Sequence, residues 1–167
     1  MCGITGFFGK GTEQDLRRMS ATLARRGPDS EGYFSDPARG IFLGMRRLAI
    51  IDVIGGTQPL FNEDGSVAVM LNGEIYNYRQ LRKRLEGKHT FKTHSDTETI
   101  AHLYEEDGEA CVEGIEGMFG LVIWDARRKT LIIARDRFGE KPIYYAQTPC
   151  AFVFGSEMKA VLEHPAV

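Results

Sequence analysis

The chain has 167 residues, of which 43% are hydrophobic and 26% charged, so it is predicted to form one folded domain, and dominant disorder is excluded. With 21 basic and 23 acidic residues the formal net charge is −2, which provides no electrostatic basis for a nucleic-acid partner. No apolar run reaches the roughly 18–20 residues of a membrane span, so no membrane partner is expected. Three cysteines exclude a disulfide framework and favour a cytoplasmic location.

The first part of the chain alternates apolar stretches with one helical pattern. Thr12 and Asp15 have the spacing of a capping box, which predicts the start of a helix. Gly27 and Pro28 predict where that helix ends, because neither residue continues a helix well. Strands are predicted at 4–8, 32–34 and 41–45, and the aliphatic run 48–53 is interpreted as a further strand.

Turn and capping residues organise the rest of the chain. The sequence at 62–65 predicts a hairpin turn before a strand at 67–71, and Asn72-Gly73 predicts another turn. Helices are predicted around 78–85 and after Ser95, where Glu98 would complete a second capping box. Ser156 is expected to cap a last short helix. The remaining predicted strands lie at 118–124, 130–134, 143–146 and 152–154.

These elements amount to eight or nine strands and three or four helices. Most connections between strands are too short for a parallel crossover, so the pairing is predicted to be mostly antiparallel. The helices come in groups between runs of strands. The fold class predicted from the pattern alone is therefore α+β, with helices packed on sheet layers.

Two kinds of binding site are not supported by the motifs. Gly9-Lys10-Gly11-Thr12 lacks the remaining residues of a phosphate-binding loop, so no nucleotide cofactor is expected in this domain. None of the four histidines belongs to a His-x-x-x-His or Cys-x-x-Cys ligand pair, so no metal is expected. His102 lies one turn from Glu98 and from Glu106, and a solvated charged helix face is the simpler interpretation of that spacing.

Cys2 is the most distinctive residue for chemistry. Once Met1 is removed, Cys2 becomes the N-terminal residue and carries both a thiol and a free α-amino group. These groups titrate near ~8.5 and ~7.7–8, so a single residue would supply a nucleophile and a base suited to neutral pH. The alternative is that Cys2 is simply a small residue before a strand.

Three other positions have both a functional and an ordinary interpretation. Asn72 and Gly73 offer a side-chain amide and a backbone N–H that could form an oxyanion hole, although Asn-Gly is also a common turn. Asp96 lies in the first turn of a predicted helix, where the helix dipole alone would favour a carboxylate. Arg47 could bind a carboxylate or simply be solvated.

Taken together, the motifs resemble a known family. The chain is similar to the glutaminase domain of class II glutamine amidotransferases, the N-terminal nucleophile hydrolases, and most similar to that of glutamine-dependent asparagine synthetases. The resemblance is carried, in family order, by the segments 1–4, 26–29, 47–52, 58–60, 72–77, 95–98, 135–142 and 155–157. One departure is Arg25, because the family often has histidine before the Arg-Gly-Pro-Asp sequence.

The resemblance implies a four-layer αββα sandwich and a role for each matching residue. Cys2 would attack the side-chain amide of glutamine and form a thioester, while Asn72 and Gly73 hold the oxyanion. Hydrolysis would give glutamate and ammonia. The implied glutamine-binding residues are Arg47 for the α-carboxylate, Asp96 for the α-ammonium, and Leu48, Ala49, Ile50, Ile51, Asn72, Gly73 and Glu74 for the rest of the pocket.

The resemblance also implies what surrounds this domain. Residues 1–167 would form the glutaminase domain with Met1 removed, and an ATP-dependent synthetase domain would lie outside the chain, in cis or on a partner chain. ATP and magnesium are expected only in that domain, and a homodimer is left open. Two alternatives also remain: a non-catalytic glutamine-binding module, and a glutaminase domain that serves a different acceptor.

Overall fold

A computed structural model describes residues 1–52 and 54–167. Within these ranges the chain forms nine strands, four α-helices and a 3-10 helix at Gly108–Gly114. In chain order the strands and α-helices are β1 (Gly3–Gly9), α1 (Glu13–Ala21), β2 (Ser30–Asp36), β3 (Ile41–Arg47), β4 (Leu60–Phe61), β5 (Val67–Ile75), α2 (Tyr78–Leu85), α3 (Asp96–Asp107), β6 (Gly117–Asp125), β7 (Thr130–Arg135), β8 (Tyr144–Gln147), β9 (Ala151–Gly155) and α4 (Met158–Leu162).

The strands form two antiparallel sheets. One sheet has five strands in the order β2-β3-β1-β9-β8, and the other has four in the order β4-β5-β6-β7. Every strand pair in the described part of the chain is antiparallel. This confirms the predicted α+β class with antiparallel sheets.

Three apolar clusters separate four layers. The middle cluster lies between the sheets and includes Met45 and Trp124. A second cluster joins the five-stranded sheet to α1 and α4, and a third joins the four-stranded sheet to α2 and α3. Alternation along β5 shows how one strand serves two layers: Val69 and Leu71 face the helices, while Met70 faces the opposite sheet. The predicted αββα sandwich is therefore confirmed.

The helix ends differ in part from the prediction. The capping box of Thr12 and Asp15 is present, but α1 ends at Ala21, before the predicted stop at 27–28. Ser95 caps α3 by accepting a hydrogen bond from the Thr97 N–H. Glu98 does not complete a capping box, because its carboxylate instead accepts from the backbone of residues 92 and 93.

Three further expectations about side chains and strands were wrong. Ser156 does not cap α4; its hydroxyl oxygen accepts a hydrogen bond from the Ile4 N–H. His102 does not lie on a solvated face, because its side chain is fully buried. The aliphatic run at 48–52 is a loop, not a strand, and Val53 lies outside the described residues.

Asn72-Gly73 does not turn the chain. Both residues lie inside β5 and pair with Gly120 and Phe119 of β6. Pairing on this long strand overrides the local preference of Asn-Gly for a turn. As a result, Asn72 points into the space between the two sheets, on the same face of β5 as Met70.

The longest helix, α3, has 12 residues, and none of the helices in the described ranges could span a membrane.

The segment after β7 is organised around the Asp136 carboxylate, which accepts four backbone hydrogen bonds. The donors are the N–H groups of residues 119, 138, 140 and 141, at 3.0–3.2 Å. Burial alone would raise the pKa of Asp136, but these hydrogen bonds lower it below its ordinary value. The carboxylate therefore contributes stability that is present above its unfolded pKa and is lost as pH falls through the lower folded value.

Asp136→Ala is expected to destabilise the fold by about 3 kcal/mol, because several buried N–H groups lose their acceptor. For a chain of this size that corresponds to a fall in Tm of roughly 6–12 °C, measurable by circular dichroism. Asp107→Ala is the matched control, since Asp107 is exposed and forms a surface ion pair with Arg84. Equal losses in the two variants would contradict the organising role of Asp136.

Candidate active site

Cys2 lies immediately before β1, and its thiol contacts the loop that follows β3. The Sγ atom is 3.4 Å from the Leu48 nitrogen, which donates to it, and 3.5 Å from the Leu48 carbonyl oxygen, to which the thiol donates. The Cys2 carbonyl accepts a hydrogen bond of 2.8 Å from Arg26 Nε, and Arg26 also pairs with Glu157. Cys2 is thus fixed by both its side chain and its backbone.

The surroundings of Cys2 favour the neutral thiol. Burial raises its pKa, and this effect exceeds the opposing ones from the Leu48 N–H and from the charges of the N-terminus, Arg47 and Arg26. A buried thiol with a raised pKa is protonated at neutral pH. Its conversion to a nucleophile therefore requires a base close to the sulfur.

Arg47, the last residue of β3, is 5% exposed and organises the loop after it. Its Nη2 atom donates to the carbonyl oxygens of Ile51, at 2.9 Å, and Asp52, at 2.7 Å. A Cβ atom at Gly56 would lie 2.6 Å from Nη2, so only glycine permits this approach. The loop thus wraps around a buried cation whose planar guanidinium can also present N–H donors along its edge to a carboxylate.

Asp96, the first residue of α3, connects that helix to the end of β5. One carboxylate oxygen accepts from the Ile75 N–H at 3.0 Å, and the other accepts from the Thr97 N–H at 2.9 Å. Burial raises the pKa of Asp96 more than the hydrogen bonds from Ile75, Thr97 and Ser95 lower it. A positively charged ligand group placed beside this carboxylate would favour its ionised form.

Asn72 and Gly73 occupy the centre of β5. The Asn72 side chain is 1% exposed, and its Nδ2 atom lies 3.4 Å from the hydroxyl oxygen of Ser156. Among the described residues, Oδ1 of Asn72 has no hydrogen-bond partner. Gly73 has a φ of 156°, and a Cβ atom there would lie 2.0 Å from the Met118 carbonyl oxygen, which excludes any larger residue.

A small cavity brings these groups together. It holds about 30 Å³, roughly the share of one water molecule in the liquid, so a side chain of several heavy atoms can enter only if the lining shifts. Three of the predicted site residues do not line it, namely Ala49, Asn72 and Glu74. The Ala49 N–H donates to Asp29, and Asn72 points into the space between the two sheets. The predicted residues that do line the cavity are Cys2, Arg47, Leu48, Ile50, Ile51, Gly73 and Asp96.

The cavity combines three chemical functions. It presents a thiol nucleophile, a guanidinium cation suited to a carboxylate, and a carboxylate suited to an ammonium group. A free α-amino acid carries both of the charges that this pair complements. The arrangement therefore fits an amino acid whose side chain reaches the thiol.

Comparison with known proteins agrees with this geometry. Residues 1–167 match the family described as "Glutamine amidotransferase domain". The chain belongs to this family.

Curated relatives of this amidotransferase domain carry the name asparagine synthetase. The present chain is 43% identical to asparagine synthetase [glutamine-hydrolyzing] 2 of Bacillus subtilis (strain 168), over 99% of the chain and 23% of the relative. It is 45% identical to asparagine synthetase [glutamine-hydrolyzing] 2 of Arabidopsis thaliana, over 96% of the chain and 28% of the relative. The chain thus spans about a quarter of the length of these relatives.

Two solved structures share the fold of the amidotransferase domain. One is the glutamine phosphoribosylpyrophosphate amidotransferase from B. subtilis complexed with ADP and GMP, with a TM-score of 0.79 and 24% identity. The other is the allosteric regulatory enzyme of purine biosynthesis, with a TM-score of 0.81 and 24% identity. Each alignment covers 99% of this chain and 44% of the solved chain, and at this identity it shows the fold alone.

Two residues that sequence analysis did not place in the site support it. The side-chain amide of Gln58 pairs with the backbone of Leu71 in the way that a neighbouring strand pairs. Its oxygen accepts from the Leu71 N–H at 2.6 Å, and its nitrogen donates to the Leu71 carbonyl at 3.2 Å. Ser156 links the start of β1 to Asn72. Both residues lie in segments that carried the family resemblance, which was the available signal, but their partners are distant in sequence.

Proposed function

We propose that this domain hydrolyses the side-chain amide of glutamine to glutamate and ammonia through a thioester on Cys2. The observation that carries the proposal is that one cavity brings the Cys2 thiol together with Arg47 and Asp96. The family membership of the chain and the names of its relatives support the same reaction.

In the proposed mechanism, removal of Met1 frees the α-amino group of Cys2, which takes the proton of the thiol. The sulfur then attacks the amide carbon, and Asn72 Nδ2 with the Gly73 N–H stabilises the resulting oxyanion. The protonated amino group gives its proton to the departing nitrogen, and ammonia leaves. Water, activated by the same amino group, attacks the thioester and releases glutamate and the free thiol.

Substrate recognition in this proposal uses the buried charge pair. Arg47 binds the α-carboxylate and Asp96 binds the α-ammonium of glutamine, so both ends of the amino acid are fixed. The loop carrying Leu48, Ile50 and Ile51 shifts to admit the substrate and covers it when bound. Glu74 and Ala49, which do not line the cavity here, reach the substrate only after such a shift.

For the whole protein, we propose that the ammonia is consumed by an asparagine synthetase-type reaction, the ATP-dependent amidation of aspartate. The support is that relatives sharing 41–45% identity with this chain are named as glutamine-hydrolysing asparagine synthetases. The acceptor chemistry, with its ATP and magnesium, belongs to a synthetase domain joined to this one or carried by a partner chain.

The test is glutamate release from glutamine by the 167-residue chain, with the N-terminus of the same sample identified by intact mass. Turnover in a sample that lacks Met1 would support the proposal. Stoichiometric glutamine binding without glutamate release from such a sample would favour a non-catalytic binding module. For the whole protein, asparagine formation from aspartate, ATP and glutamine tests the acceptor, and a different amidated product would overturn that part.

Asp96→Asn is expected to raise KM for glutamine about 10–100-fold with little change in kcat, because a charged hydrogen bond worth roughly 1.5–3 kcal/mol is lost. Since burial raises the pKa of Asp96, the wild-type KM should rise as pH falls through that pKa, and the variant should lose this dependence. Initial rates across a pH series measure both effects. Asp107→Asn is the control, and a retained pH profile in Asp96→Asn would remove Asp96 from substrate binding.

A further inference from the structure

Four potential metal ligands from three segments converge on one point, away from the cavity of Cys2. Glu63 lies in the turn between β4 and β5, His89 follows α2, and His102 and Glu105 lie on α3. One nitrogen or oxygen atom from each side chain lies within 4.8 Å of the others. None of the four residues lines the cavity that contains the thiol.

Four contacts between the histidine nitrogens and the carboxylate oxygens are close to the ligand spacing around a tetrahedral ion, with a different Glu63 oxygen facing each histidine. His89 Nδ1 lies 3.1 Å from a Glu63 oxygen and 3.6 Å from a Glu105 oxygen. His102 Nδ1 lies 3.2 Å from the other Glu63 oxygen and 3.3 Å from the same Glu105 oxygen. A tetrahedral Zn²⁺ with bonds of 2.0–2.2 Å to nitrogen and oxygen has ligand-to-ligand distances of about 3.3–3.6 Å.

The surrounding groups hold the ligands in this arrangement. Each histidine turns its Nδ1 atom inward and its Nε2 atom towards an outer carboxylate: Glu106 lies 3.5 Å from His89 Nε2, and Glu98 lies 3.9 Å from His102 Nε2. A carboxylate in this position is usual behind a zinc-binding histidine; here the carboxylates are charged neighbours of the two Nε2 atoms, which have no hydrogen-bond partner among the described residues. Glu105 is itself oriented by a hydrogen bond of 2.8 Å from Asn62 Nδ2.

Burial and charge also favour a cation here. The His102 side chain is fully buried, and its ring lies against those of His89 and Phe91, at centroid distances of 4.7 and 4.6 Å. Two carboxylates are directed at the same small space, and bringing them together without a counter-charge is unfavourable. A dication would balance the charges of Glu63 and Glu105.

We propose that Glu63, His89, His102 and Glu105 bind one Zn²⁺ ion in a structural site. Four protein ligands fill the coordination sphere of tetrahedral zinc and leave no position for a substrate, so the site is structural. The ion would fasten α3 to the β4–β5 turn and to the chain after α2. Imidazole and carboxylate ligands suit zinc and its tetrahedral substitute Co²⁺.

The test is a titration of the metal-stripped 167-residue chain with Zn²⁺ and with Co²⁺. We expect one equivalent of each ion to bind, with the intense visible absorption of tetrahedral Co²⁺. Saturating Zn²⁺, at about 100 times its Kd, should raise Tm by about 5–10 °C. Binding of no ion, or an octahedral Co²⁺ spectrum, would overturn the proposal.

Matched variants locate the binding. His89→Gln and Glu63→Gln alter ligands on loops outside the helices, and each should weaken Zn²⁺ binding at least about 10-fold and abolish the rise in Tm. His94→Gln and Glu109→Gln, at exposed positions on the same half of the fold, are the controls and should bind as the wild type does. Circular dichroism of each metal-free variant verifies folding. Unchanged binding in His89→Gln and Glu63→Gln would place the ion elsewhere and refute the site.

Discussion

Cys2→Ser is expected to reduce glutamate release from glutamine by at least about 10⁴-fold, the scale of loss when a nucleophile is removed from a covalent mechanism. A serine hydroxyl is a far weaker acid than a thiol, so the α-amino group cannot deprotonate it to a useful extent at neutral pH. Serine is also small, so Met1 should still be removed. The change therefore isolates the sulfur atom.

The other two cysteines provide the controls for this experiment. Cys150 is exposed, and Cys150→Ser should retain full turnover. Cys111 is buried, and burial raises its pKa to about 12, so it is not expected to react. If Cys2→Ser kept the wild-type rate in a sample without Met1, a mechanism through a Cys2 thioester would be untenable.

Much of the secondary structure was predictable because most helices and strands have signals in their own local sequence. The hairpin turn at 62–65 and the capping box of α1 are properties of neighbouring residues, and the structure confirms both. The four-layer arrangement came from the family resemblance, since element counts alone gave only the α+β class. Local patterns could not show which contacts form between segments that are distant in the sequence.

Asn72-Gly73 illustrates this limit. In isolation the pair favours a turn, but pairing with β6 continues the strand through both residues. The run at 48–52 illustrates the opposite case, because aliphatic residues suggested a strand where the chain instead wraps around Arg47. In both cases a long-range contact overrides the local preference.

Several residues that share the cavity were chosen from the sequence, but their arrangement was not. Cys2, Arg47 and Asp96 were chosen from chemistry and motif, and the structure brings them to one cavity. Gln58 was not assigned a role, because its partner on β5 is distant in sequence. His102 was misjudged because its spacing from Glu98 and Glu106 gives no information about burial, which here comes from packing against other segments.

Asn72→Ala is expected to lower kcat by about 10²–10³-fold with little change in KM, the usual cost of losing one oxyanion-hole donor. The reason is that the oxyanion exists in the transition state but not in bound glutamine. Initial rates of glutamate release, measured across a range of glutamine concentrations, separate kcat from KM. Unchanged kcat would remove Asn72 from the mechanism.

Asn77→Ala is the control for the loss of a hydrogen-bonded amide outside the cavity. Asn77 donates to the Gly114 carbonyl and accepts from the Glu116 N–H, so its role is confined to holding the chain after β5. This variant should lose about 1–2 kcal/mol of stability and keep the wild-type kcat. Measuring Tm and kcat for both variants distinguishes a structural asparagine from one that acts on the transition state.

The environment of Asn72 explains how its amide could serve the oxyanion. Nδ2 makes only a long bond of 3.4 Å to Ser156, and Oδ1 has no partner among the described residues. If the amide turns over, the Ser156 hydroxyl can donate to Oδ1, and Nδ2 is released to donate elsewhere. Asn72→Asp retains the shape but places a negative charge beside the developing oxyanion, so its kcat should fall at least as far as that of Asn72→Ala.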